Sequence, residues 1–219
     1  MKYYKYKMNA VYFNVFASIL IVLGFLLHYC LFSNYIMEGS FLVYMVLWMF
    51  LHEILHGIGF MCFKEVSNKN VVFGAKLEKG VFYCMCKQLI SKKIILTALL
   101  APLVLIGIIT LIIAIIFNLP TLALLSLFNI SGAIGDIMMS IMFFNMPFDI
   151  KYTDLDECDG FVVLSDKKLK DYKVLGLSLI ESGNYSEDMV AKDYKKVTCS
   201  KTSLIIFIII VVLFIVSLF

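Results

Sequence analysis

Arginine is absent from this 219-residue chain, and charge of either sign is scarce: 16% of residues are charged and 62% are hydrophobic. Soluble domains carry about a quarter charged residues and about half apolar ones. A core of this length cannot bury so much apolar surface, which excludes a soluble globular protein and leaves an integral membrane protein. The chain also lacks internal repeats and low-complexity segments beyond the apolar runs themselves. No small-x-small cleavage site follows the first apolar run, so a retained helix is expected there, not a signal peptide. The six cysteines include only Cys30 near the face expected to be outside, so no disulfide framework is implied. Cys84 and Cys86 stand closer together than a zinc knuckle requires and read as ordinary strand residues.

The apolar runs come to about the 20 residues that cross a bilayer. They cover residues 10–32, 41–63, 94–117, 121–144 and 203–219. Lysine orients them, because basic residues concentrate on the cytoplasmic side. With the N-terminus inside, segments 1–9, 64–93 and 145–202 hold three, seven and nine lysines, all nineteen in the chain, and the outer loops 33–40 and 118–120 hold none. The C-terminus is then outside. The fold expected is an all-α polytopic membrane protein of about five transmembrane helices. Residues 1–144 would hold a four-helix core, 145–202 an inner-face soluble segment and 203–219 the last helix. Residues 1–9 read as a short lysine-bearing tail. Two β-branched and aromatic runs flank "AKLEKG" in "VVFGAKLEKGVFYCMCK", a signal for a small inner-face hairpin over 71–87. The expected setting is a cell membrane, and the isoleucine-, phenylalanine- and asparagine-rich usage points to an AT-rich bacterial genome. No nucleic-acid partner is expected.

Few ionisable residues interrupt the spans, and "LHEILHG" holds three of them. Residues four apart share a helix face, so His52 and His56 can offer imidazole nitrogens to one point. Glu53, about 100° further round, can reach a water held there. This is the HExxH spacing, two zinc ligands and a general base. A catalytic zinc takes three protein ligands and keeps one position open. The candidate third ligand is Asp136 in "NISGAIGDIMMS", which has no cationic partner in any span. His52 and His56 lie 11 and 7 residues from the inner end of their span and Asp136 lies 8 from that of its own. All three therefore sit roughly 10–17 Å deep at 1.5 Å per residue. Gly57, Gly59, Ser131, Gly132, Ala133 and Gly135 are small residues of the kind that let membrane helices approach. Asn129 can donate to a scissile carbonyl, fix a zinc ligand or make a plain interhelical bond. His28 reads as an interfacial histidine facing the headgroups. "DLDECDG" has the wrong acidic spacing for an EF-hand and reads as a solvated turn.

"HEILHG", "APLVL", "NISGAIGD" and "FDIKYTDLDECDGFVV", in that order over residues 45–165, resemble the bacterial putative zincin peptidases, small membrane proteins distantly related to the site-2 intramembrane zinc proteases. The resemblance implies that His52, His56 and Asp136 bind Zn2+ and that Glu53 is catalytic. Site-2 proteases usually follow the ligand aspartate with glycine, whereas Ile137 stands here. The function expected is a zinc metalloprotease hydrolysing peptide bonds of membrane protein substrates near the cytoplasmic face; the 71–87 hairpin either takes the substrate as an added strand or only covers the zinc. The alternatives are a non-proteolytic zinc-binding scaffold or metal sensor with the same fold, and a transporter, for which paired, interrupted half-repeats are missing.

Overall fold

The computed structural model describes residues 1–33, 35, 39–76, 81–155 and 160–185. The expected last span at 203–219 and residues 156–159 of "DLDECDG" lie outside them. Among the described residues, three helices are long and apolar enough to cross a membrane. They are α1 (Ala10–Leu31), α2 (Phe41–Met61) and a continuous run made of α3 (Lys92–Pro102), a π-helical segment Leu103–Ile109 and α4 (Thr110–Ile116). The expected fourth span is broken. Its halves, α5 (Pro120–Gly132) and α6 (Ile134–Phe144), meet at a 52° bend. They amount to a fourth crossing only if taken together.

The chain is not all-α. Besides the expected hairpin of β2 (Val71–Lys76) and β3 (Val81–Cys86), it forms a five-stranded antiparallel sheet in the order β4-β5-β6-β1-β7. Its strands are β1 (Lys2–Met8), β4 (Ile90–Ser91), β5 (Lys151–Asp154), β6 (Gly160–Ser165) and β7 (Leu177–Asn184). The segment taken as a lysine-bearing tail is β1, a central strand paired with β6 on one side and β7 on the other. Reading its lysines only as charge hides the alternation in "KYYKYKM", which is the period of a half-buried strand. Tyr4 and Tyr6 point inward, and Tyr6 stacks on Phe161 with ring centroids 5.5 Å apart. Tyr152, Phe161 and Phe143 of α6 form the aromatic contacts that seat the sheet on the helices.

The sheet sits where β1 enters α1, β4 enters α3 and α6 leads to β5, so one end of the helices carries all of it. Lys92 stitches that end. It is buried, and its Nζ donates to the carbonyls of Phe144 (3.3 Å) and Met146 (2.7 Å), at and just beyond the end of α6. At the opposite end, His28 does not face outward as expected. It is buried, its Nε2 lies 3.0 Å from the Pro120 carbonyl, and it packs against Phe32 and Tyr35. With its ring engaged by the carbonyl at the start of α5, His28 ties α1 to α5.

Replacing Lys92 with methionine keeps the stem but removes both charged hydrogen bonds. The expected loss is about 1.5–3 kcal/mol of stability, read as a lowered thermal midpoint of the full chain in detergent. An unchanged midpoint would refute the role given to Lys92.

Candidate metal centre

His52, His56 and Asp136 are brought together. The two imidazole Nε2 atoms are 3.0 Å apart, and Asp136 Oδ2 lies 3.2 Å from that of His52 and 3.5 Å from that of His56. The other ring nitrogens are committed elsewhere. His56 Nδ1 is 2.8 Å from the Ala98 carbonyl, which can only accept, so the nitrogen donates. Asn129 donates through Nδ2 to the Pro102 carbonyl at 3.1 Å, which fixes its Oδ1 as the acceptor for His52 Nδ1 at 2.8 Å. Both rings therefore donate through Nδ1 and turn Nε2, the atom left to meet a metal, toward Asp136. Three acceptor atoms this close hold together only around a cation or a shared proton. The three residues form a group able to hold a metal ion.

The α3 run supplies the carbonyls. In a regular helix the Ala98 carbonyl accepts from residue 102, but Pro102 has no N–H to give. That carbonyl is thereby available to His56. Four residues on, the Pro102 carbonyl takes Asn129; four further, the Ile106 carbonyl takes Trp48 Nε1 at 3.3 Å and the Thr110 hydroxyl at 2.7 Å. One face of the run thus acts as a rail of acceptors against which α2 and α5 orient their polar groups. Gly59 lets α2 come close enough, since a Cβ there would stand 2.6 Å from the Ala98 Cα.

Asp136 occupies the first turn of α6, just past the bend. Gly132 and Gly135, read from sequence as aids to helix approach, do something else. A Cβ on either would meet nothing within 4 Å, and both line open space beside the cluster. Of the glycines considered, Gly59 is the one pressed backbone to backbone.

Glu53 projects between α2 and the hairpin, where its carboxylate accepts from the Cys84 amide of β3. Two residues along, the Cys86 amide donates to Asp154 Oδ2 at 2.9 Å, and Tyr152 hydrogen-bonds the other oxygen of that carboxylate. Among the described strands β3 pairs with β2 alone, and these amides point away from that partner. The hairpin also reaches further along α2 than an inner-face position implies. Phe82 packs on Phe50 with centroids 4.5 Å apart, three residues beyond Glu53 toward the start of α2. Burial pushes the thiols of Cys84 and Cys86 up, that of Cys86 to about 11, so neither is a ready thiolate near neutral pH. Burial likewise lifts Asp154 to about 6.

Two cavities meet at the cluster. One of about 340 Å³ runs between α1, α2 and α5, and one of about 260 Å³ extends toward the sheet. They share His52, Glu53, Phe82 and Gly132. Sequence reasoning missed Ala98, Pro102 and Asp154. The first two act through main-chain oxygens, which leave no signal in side-chain type. Asp154 was hidden among four neighbouring acids; its place at the end of a strand entering the site distinguishes it.

Residues 45–150 match the model of a family described as "Putative zincin peptidase", an interval that contains His52, Glu53, His56, Asn129 and Asp136. Neither curated proteins nor solved structures gave a match.

Asn129→Leu preserves bulk while freeing His52 Nδ1 from its acceptor. Metal affinity should fall about 10- to 100-fold, the usual effect of losing a group that orients a ligand, in a competition titration against a chelator. An affinity equal to wild type would show that Asn129 does not set the ring.

Proposed function

Because residues 45–150 belong to the Putative zincin peptidase family, we propose that this chain is a zinc-dependent endopeptidase of the HExxH, site-2-like kind, cutting membrane-protein substrates near the cytoplasmic face of a cell membrane. One observation carries the reading: two Nε2 atoms and a carboxylate oxygen converge while both Nδ1–H groups are held by fixed acceptors. Two imidazoles and one carboxylate suit a catalytic zinc, which keeps a fourth position open. When bound, zinc supplies Lewis acidity and lowers the pKa of its water toward neutrality.

The chain's own residues supply the rest. His52, His56 and Asp136 are the ligands. Asn129 and the Ala98 carbonyl hold the two rings and are positioning groups. Glu53 follows His52 by one residue, lines both cavities and is placed to take a proton from the attacking water and pass it to the leaving amine. The amides of Cys84 and Cys86 mark an edge of β3 directed at the site. Within a bilayer an open strand edge is tolerated only where it lines a protected cavity. An unwound substrate segment adding along that edge would take over the two amides that Glu53 and Asp154 hold in its absence. The lysine distribution supports placing the sheet and hairpin base on the cytoplasmic side.

Metal analysis of the purified full chain, with cleavage of a reconstituted membrane substrate, tests this. Wild type should carry about one zinc per chain. Glu53→Gln should keep the zinc and lose about 10²- to 10⁴-fold in cleavage rate, the range for a removed general base. Asp136→Ala should lose the zinc. A wild type without zinc, or full zinc in Asp136→Ala, would overturn the ligand set.

A separate substitution tests the strand. Proline at position 84 removes an amide that faces the site without breaking the ladder to β2. Cys84→Pro should retain zinc and lose cleavage. Normal cleavage by that variant would sink substrate addition along β3.

A further inference from the structure

The two cavities differ in chemistry, and the one between α1, α2 and α5 is mostly apolar. Its walls are Ala17 and Ile21 of α1, Met45, Trp48 and Met49 of α2, and Phe128 of α5. Its polar groups, His52, Glu53 and Asn129, gather where it joins the cluster. At about 340 Å³ it falls at the small end of ligand sites. That is room for a large side chain, and too little for a whole helix. Methionine side chains are flexible and polarisable and adapt to varied apolar shapes. Gly132 leaves the passage to the second cavity clear, and Phe82 of β3 borders both. A chain lying along β3 therefore crosses the cluster with side chains directed into one cavity or the other.

We propose that this apolar cavity is a specificity subsite for a single large, uncharged side chain, aliphatic or aromatic, next to the bond that is cut. The inference rests on the peptidase reading and adds to it the class of residue selected. The second cavity, bordered by Asp136, Asp154 and Tyr152, is the more polar. The cut therefore falls at an apolar residue whose neighbour across the bond tolerates polar groups. That pattern fits the end of a membrane-spanning segment better than its middle.

The chain provides its own reporter, because Trp48 in the cavity wall is the only tryptophan. The test titrates zinc-loaded, full-length protein in detergent with two zinc-chelating hydroxamates, one bearing a benzyl and one a methyl side chain, following Trp48 fluorescence. The benzyl compound should bind about tenfold or more tighter, the scale of discrimination an apolar pocket achieves between large and small groups. Ala17→Phe, which fills the cavity from α1 and touches no ligand residue, should erase that preference while zinc content stays at the wild-type level. Met45→Ala, which enlarges the cavity, should keep or widen it, and serves if the first variant fails to fold.

Equal affinity for the two compounds, or a preference that survives Ala17→Phe, would overturn the subsite while leaving the metal centre intact. Failure of both compounds to bind zinc-loaded protein would overturn it together with the metal reading. Discrimination without proteolysis of any membrane substrate would support the pocket and refute the peptidase activity, so the two readings fail separately.

Discussion

The hydrogen bond from His56 to the Ala98 carbonyl organises the centre, and it exists because Pro102 cannot donate. In a helix interior each carbonyl normally already accepts one backbone N–H, so a bond from a neighbouring helix has to share that oxygen. Here a proline in α3 leaves one carbonyl unclaimed at the level where α2 carries its second histidine. Gly59 lets the two backbones approach until the bond can form. From it follow the orientation of the His56 ring, the direction of its Nε2 and the point on which His52 and Asp136 converge. Removing a proline usually relieves strain in a helix; here it would restore a competitor for that oxygen.

The same economy governs the other side of the centre. Asn129 reads as an isolated polar residue, yet its amide bridges the Pro102 carbonyl and His52 and transmits the fixed orientation of α3 to the first histidine. The bend between α5 and α6 then separates two tasks that one straight helix could not perform. Asn129 lies before it, against the rear of the His52 ring, and Asp136 lies after it, in front of both rings. An uninterrupted helix places residues seven apart on nearly one face, which would have put both groups on the same side.

Much of this was legible in the sequence, and the divide has physical causes. His52, Glu53 and His56 announce themselves by spacing, and Asp136 by being an acid without a cation in an apolar run. The helices were visible too, since an apolar stretch of some twenty residues is stable in few settings besides a bilayer. The sheet was not. Its central strand carries three lysines in seven residues, and beside apolar spans lysine draws attention to topology before periodicity. Strand pairing between residues 2–8 and 160–184 is non-local and depends on partners that no window of sequence contains. His28 was misplaced because its partner is a main-chain oxygen in another helix, the same blind spot that hid Ala98.

The central position of β1 has a consequence for how the molecule is made. Strand β1 pairs with strands that follow α6, Tyr6 opposite Phe161 and Leu179. Contacts at such separation close late, because the intervening chain must first be ordered. Asp154, which holds the Cys86 amide beside the centre, belongs to this late-closing sheet. The histidines and Asp136 are in place once α6 has been synthesised, but the strand edge is secured only when the downstream chain arrives.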